Sequence, residues 1–390
     1  TKSGVLHSLF IELGKLEDST FVLRLLTKET ASVTRASMAC LELFSNIESL
    51  GAELNENRNY YDHITIWINK QVRKKQAWLD FVKKGKEAWL ALDNACKGAN
   101  DIVKTIEQDL PRASLHLSEA THFMVEVRDT LRLILAGDDS SYVYYFDLPN
   151  HRNNRGVKSL YAEKIDIGSD LSAHWLSSMN SVVFTSATLS IGKSFEHFDH
   201  SVGLDLVGAA AHKGISLRSS FDFDKNMAVV LASDMSEPGD KHYLPDLEEL
   251  LYDVHVSMGG SVLTLFTNRR DMEHTFSSLA PRLETKGLEL CCQTRGSSPR
   301  QLRENFIANE SQSLFALRSF WEGFDATGNT LRCVVIPKLP FANPNDPLVK
   351  EREAREDRSW WRHSLPEAIL TVKQAAGRLI RSNSDTGILI

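Results

Sequence analysis

What this 390-residue chain lacks narrows its class first. No uninterrupted apolar run approaches the roughly 18 residues that cross a bilayer, and the opening TKSGVLHSLF has no basic stretch leading into a long apolar core. A cytoplasmic protein is the expectation. Cysteine is scarce: Cys40, Cys96, Cys291, Cys292 and Cys333 form an odd set with no C-x-x-C pair, which signals neither a disulfide framework nor a metal site. An excess of charge is missing too, since a net charge of −6 argues against binding polyanions over the whole surface. There is no initiator Met and the last residues, GILI, read as an unfinished apolar strand, so a piece of something longer is expected. What remains is ordinary globular composition, 42% hydrophobic and 25% charged, in a chain long enough for two or three cores.

Charge is nevertheless uneven. NKQVRKKQAWLDFVKKGK, residues 69 to 86, is rich in Lys and Arg with Asp80 as its lone acid. It is either a solvated helix face or a track for a nucleic-acid backbone. Residues 1 to 138 carry helical periodicity, with Trp78, Val82, Trp89, Leu92 and Cys96 on one stripe, and predict an all-α domain. Composition shifts at 136 to 156, where Gly, Asp, Ser and Asn flank a β-rich run.

Beyond that point strands and helices alternate. Strand candidates are SVVFTSA (181–187), MAVVLAS (227–233), GSVLTLFT (260–267), LELCCQ (288–293), SLFALRSF (313–320), RCVVIPKL (332–339) and GILI (387–390). Helix starts are signalled by Ser298-Pro299 with Gln301 and by Ser364 with Glu367. Unbroken apolar strands separated by helices predict an α/β fold with a mostly parallel sheet covered on both faces. Ligands of such sheets bind beyond the carboxyl ends of the strands, which directs attention to the polar residues just after each one.

Four such places stand out. In KQAAGRLIRS, Gln374, Arg378 and Arg381 fall on one helical face, opposite Ile369, Val372, Ala376, Leu379 and Ile380. Solvation is the common fate of such a face, but three donors in a row also suit a triphosphate. In SFWEGFDATGN, Gly323 and Gly328 permit close approach of backbone, and Glu322 and Asp325 suit a ribose hydroxyl or metal-bound water, although such a turn can be only a turn. FTSATLS ends a strand in Ser186, Ala187 and Thr188, whose small size and hydroxyls allow adaptable contacts. Thr267 and Asn268 sit at a strand tip before a helix, placed either to cap it or to hold a phosphate. Trp321 and Phe320 are either core or a base-stacking surface. One near miss is set aside: ATLSIGKS (187–194) fits the phosphate loop G-x-x-x-x-G-K-[ST] except that Ala187 replaces its first glycine. VYYFD (143–147) is likewise discounted as a metal site, having no Glu after its Asp.

Taken in order, FTSATL, LTLFTNRRDM, SFWEGFDATG with VVIPKLPFANPNDPL, and LPEAILTVKQAAGRLIR with DTGILI resemble motifs III to VI of the DinG and XPD-like branch of the superfamily two DNA helicases. The likeness covers residues 160 to 390, with departures at Ser220 and at Leu317-Arg318. It implies a RecA-like parallel-sheet motor preceded by an Arch-type helical domain: 1–138 Arch-like, 139–196 the end of helicase domain 1, 197–390 helicase domain 2. By the same resemblance Arg378, Arg381 and Glu322 are catalytic, and Gln374, Asp325 and Gly323 contact ATP. Ser186, Ala187 and Thr188 couple hydrolysis to motion, and Thr267, Asn268, Arg269 and Trp321 touch DNA. ATP and Mg2+ are the implied cofactors and single-stranded DNA the implied partner, traversed 5′ to 3′. The family's phosphate loop, DEAH acid pair and four-cysteine iron–sulfur region are not in this sequence, so ATP turnover by the chain alone is expected to be negligible and no cluster is expected in it. The rival expectations are a binding module without motor activity and the helicase half of a helicase–exonuclease fusion.

Overall fold

Long amphipathic helices and short apolar strands separate cleanly along the chain. The computed structural model describes residues 4–13, 20–54, 63–149, 157–208, 212–321 and 328–390. They form two compact units, 1–166 with 343–357, and 167–342 with 358–390.

The first unit contains α1 (Val5–Leu13), α2 (Thr20–Leu54), β1 (His63–Trp67), α3 (Gln76–Ile106), α4 (Pro111–Ala136), β2 (Tyr142–Pro149) and β3 (Ser159–Lys164). Its core forms where the apolar stripes of α2, α3 and α4 meet: Leu43, Ile47, Trp78, Phe81, Leu92, Leu131 and Ile134 pack with Tyr144 and Phe146 of β2. Each such side chain contributes about 1.5–3 kcal/mol on burial. The stripe expected on α3 is the one that is covered, with Trp78, Leu92 and Cys96 at 6% exposure or less. One expectation needs correction, because β1 lies inside the stretch read as all helical. Its β-branched Ile64, Thr65 and Ile66 pair antiparallel with β2, which in turn pairs with β3. VYYFD is thus part of β2.

The second unit begins with α5 (Gly168–His174), α6 (Glu196–Val202) and α7 (Phe223–Asn226), then β4 (Met227–Val229), α8 (Tyr243–Met258), β5 (Val262–Leu265) and α9 (Arg269–Glu284). It continues through β6 (Glu289–Cys292), α10 (Pro299–Ala308), β7 (Gln312–Ala316), β8 (Cys333–Val335), α12 (Leu365–Ala376) and β9 (Gly387–Leu389); α11 (Pro347–Arg355) belongs to the first unit. The six strands are all parallel in the order β4-β9-β8-β5-β7-β6. Alternation along the strands explains why both faces are covered. Leu263, Leu265, Leu314, Ala316 and Val334 point toward Phe306 of α10 and Ala375 of α12, whereas Val262, Phe266, Phe315, Cys333 and Val335 meet Leu251, Met272, Leu279 and Leu283 of α8 and α9.

SVVFTSA (181–187) was expected as a strand and is not one: among the described residues no chain pairs with it, and Val183 is 85% exposed. A strand exists only where a neighbour takes its backbone hydrogen bonds. ATLSIGKS leads into α6, only seven residues long, which is not the strand–loop–long-helix context of a phosphate loop.

Candidate nucleotide and nucleic-acid site

The order of strands selects a place for chemistry. β6 and β7 lie on one side of β5 and β8, β9 and β4 on the other, so the chain crosses over β5 in passing from β7 to β8. Such a reversal opens a crevice at the carboxyl ends of the strands. The crossing segment is 317–332, and it contains SFWEGFDATG. Glu322, Gly323 and Asp325 lie outside the described residues, but the backbone leading to them is held from three directions.

Gln293, one residue past β6, grips it first. The Leu317 N–H donates to Gln293 Oε1 at 2.9 Å, and Gln293 Nε2 donates to Ser319 Oγ at 2.9 Å. From α10, Arg303 Nη2 donates to the Ser319 carbonyl at 2.6 Å while its guanidinium stacks on Phe320 at 5.0 Å. The third hold is Arg378, whose Nε donates to the Trp321 carbonyl at 3.1 Å, with Nη2 on the same oxygen. Gln293 and Arg303 carry no recognisable motif. Only their long-range partners mark them.

Arg378 differs from expectation. The single face assumed for Gln374, Arg378 and Arg381 requires the helix to continue, but α12 stops at Ala376. There the turn tightens, the Arg378 N–H donating to the Ala375 carbonyl at 3.2 Å and the Leu379 N–H to the Ala376 carbonyl at 3.1 Å, and Asp385 keeps the following residues off the helix. Its Oδ2 accepts from the N–H groups of Arg381 and Ser382, both at 2.8 Å, and its Oδ1 accepts from the Ser382 hydroxyl at 2.7 Å. The carboxylate thus takes the donors that a continuing helix would direct to carbonyls four residues back. The Ser382 hydroxyl in particular holds the Asp385 carboxyl below the usual carboxylate range. The turn sends Arg378 inward to 3% exposure and leaves Arg381 at the surface. A desolvated guanidinium must be hydrogen-bonded, and the Trp321 carbonyl serves that need.

Gln374 stays on the helix and meets the second motif. Its Nε2 donates to Thr188 Oγ1 at 3.4 Å, and Thr188 Oγ1 lies 3.4 Å from Ser186 Oγ, whose oxygen also accepts from the Thr188 N–H at 3.2 Å. Next to it Lys373 Nζ donates to the Ser190 carbonyl at 2.8 Å. The 186–190 turn, with Ala187 exposed in it, is therefore docked on the polar side of α12.

At the tip of β5, Thr267 is exposed and Asn268 is the N-cap of α9, accepting from the Asp271 N–H at 2.8 Å. Arg269 Nη1 donates to the Gln293 carbonyl at 2.9 Å. Trp321 needs correction as a base-stacking surface: it is 2% exposed among Phe306, Phe320 and Leu331, so its indole serves the core. Among the described residues no three His, Cys, Asp or Glu side chains are grouped to hold a metal. No helix among them is long and apolar enough to cross a membrane.

A six-stranded parallel sheet, covered on both faces and with polar groups gathered at a strand-order reversal, defines a RecA-like α/β fold. Residues 251–390 match the helicase C-terminal domain family. The chain is 29% identical to the 3′-5′ exonuclease DinG of Bacillus subtilis (strain 168) over 269 residues, covering 67% of this chain and 28% of that protein. It is 30% identical to the ATP-dependent helicase DinG of Mycobacterium tuberculosis (strain ATCC 25618 / H37Rv) over 286 residues, 70% of this chain and 41% of that one. A solved structure titled XPD helicase shares the fold at a TM-score of 0.51 and 17% identity, covering 91% of this chain and 59% of that chain. The chain thus spans less than half the length of these two relatives. It carries a C-terminal helicase portion of the DinG type.

Proposed function

We propose that the protein acts as an ATP-dependent DNA helicase, coupling hydrolysis to movement 5′ to 3′ along single-stranded DNA and so to strand separation, in the cytoplasm. Residues 1–138 then guide the strand as an Arch-like domain, 139–196 close the first motor domain, and 197–390 form the second. Arg381, at the surface of the turn that Asp385 closes, is the group offered to the γ-phosphate of Mg2+-bound ATP. Arg378 anchors the Trp321 carbonyl, Glu322 and Asp325 are the groups assigned to ribose and the metal's water shell, and Gln374 joins the nucleotide side to the coupling residues Ser186 and Thr188. Thr267, Asn268 and Arg269 face the strand.

The observation that carries this reading is the Gln374–Thr188 contact at 3.4 Å. Two segments singled out separately by their chemistry, and far apart in sequence, meet in one polar cluster. ATP turnover tests it, in a polypeptide joining this chain to a phosphate loop and an acid pair. Arg381→Ala lowers kcat about a thousandfold and leaves the KM for ATP within a few-fold. The chain by itself, containing neither element, turns over ATP negligibly; turnover by the chain alone that Arg378→Ala abolishes would overturn the assignment.

A further inference from the structure

We propose that Gln293 is a positioning residue that relays DNA contact at the tip of β5 to the nucleotide-facing segment after β7. The inference rests on the proposed function, in which Arg269 faces the strand. It adds a residue that neither the motifs nor the resemblance names.

The geometry is a continuous chain of hydrogen bonds within one unit. Arg269 donates to the Gln293 carbonyl at 2.9 Å, and the Gln293 N–H donates to the Phe315 carbonyl at 2.9 Å, fixing the residue to the end of β7. Its side chain then spans the next turn of that chain, taking the Leu317 N–H on one atom and giving a proton to Ser319 Oγ from the other. Two residues later the Trp321 carbonyl receives Arg378, and Glu322 follows. A primary amide suits this place because it is donor and acceptor at once: a carboxylate would satisfy Leu317 but lose the donation to Ser319, and an apolar chain of the same length would lose both.

β6 is the edge strand of the sheet, so Gln293 has a neighbouring strand on one side alone. Its N–H stays on Phe315 while its carbonyl and side chain answer to Arg269, and the 317–321 turn must follow that side chain or lose two bonds. Displacement of Arg269 toward a phosphate therefore changes what holds the turn. Gln293 touches neither nucleotide nor DNA in this scheme and acts through the backbone it holds.

Hydrogen–deuterium exchange on this chain tests the relay, with single-stranded oligo-dT of about 20 nucleotides, longer than one binding footprint, as the probe. In the wild-type protein, added oligonucleotide changes exchange of the 317–321 amides by roughly five- to tenfold, the size of coupling between groups in one hydrogen-bonded network. In Gln293→Met the affinity for oligo-dT is unchanged and the response of 317–321 falls below about twofold, with Gln293→Glu between the two. Circular dichroism melting shows that each variant is folded. A Gln293→Met protein whose basal exchange rises while its oligonucleotide response stays intact would reduce Gln293 to a structural prop and overturn the relay. Wild-type protein that binds oligo-dT with no response at 317–321 would overturn it as well. Failure of the wild-type protein to bind oligo-dT would instead sink the nucleic-acid reading on which the relay stands.

Discussion

Replacing Asp385 with alanine removes the carboxylate that holds the turn after α12, the turn presenting Arg381. Asp385 is 8% exposed and accepts three hydrogen bonds, from the N–H groups of Arg381 and Ser382 and from the Ser382 hydroxyl. Each orphaned, buried donor costs about 1–3 kcal/mol, but Arg381 and Ser382 lie near the surface and regain water in part, so the loss expected for Asp385→Ala is about 2–4 kcal/mol. Asn at this position keeps a carbonyl oxygen for the backbone donors and loses the charge, so Asp385→Asn costs about half as much. Urea unfolding followed by far-ultraviolet circular dichroism reads both numbers. Because the folded state holds this carboxyl in its charged form, the stabilisation is present at neutral pH and declines as acid protonates it, so wild type and Asp385→Asn converge below the ordinary carboxylate range. An Asp385→Ala protein within about 0.5 kcal/mol of wild type at pH 7 would refute the claim that this side chain fixes the turn.

Two buried titratable groups give pH predictions of opposite sign. Glu29 on α2, 3% exposed and packed over Gly98 of α3, is pushed up to about 7 by burial. The unit it stabilises is therefore firmest below the ordinary carboxylate range and loses about 3 kcal/mol as pH rises from about 4.5 to about 7, so Glu29→Gln gains stability at pH 8 and removes the slope in denaturant melts. His255 on α8 is buried against Phe315, donates Nδ1–H to the Leu251 carbonyl at 2.6 Å, and is lowered to about 4 by burial. Its neutral form is the folded one, so stability falls by about 2 kcal/mol between pH 7.5 and 5 as the unfolded chain takes up the proton, and His255→Leu flattens that limb in calorimetry. A slope that survives either substitution would assign it elsewhere.

The parallel sheet was legible because the runs around Leu263, Leu314 and Val334 are apolar at successive positions, which only a sheet covered on both faces demands. The stripe of α3 was legible for the same kind of reason. What sequence could not carry was pairing. Val183 lies in a run with every property of a strand except a neighbour among the described residues, and Ile64 and Ile66 form a strand amid helices because β2 passes beside them. The candidate site divides likewise. Gln374, Ser186 and Thr188 announced themselves by residue type, and the structure brings them together. Arg378 was misplaced because periodicity extends a helix until something stops it, and here the turn tightens at Gly377 to Leu379 while Asp385 takes the donors of Arg381 and Ser382. Asn268 was recognised, with cap and phosphate ligand both open, and the cap is what the geometry displays. Gln293 was invisible as a functional residue because its partners, Leu317 and Ser319, are distant in sequence.

The measurement that bears most directly on the motor reading is steady-state ATP hydrolysis, with and without single-stranded DNA, in a polypeptide joining this chain to a phosphate loop and acid pair, comparing wild type with Arg381→Ala. The account predicts DNA-stimulated turnover in wild type and a kcat about a thousandfold lower in the variant at nearly constant KM. Equal turnover in the two proteins would contradict it.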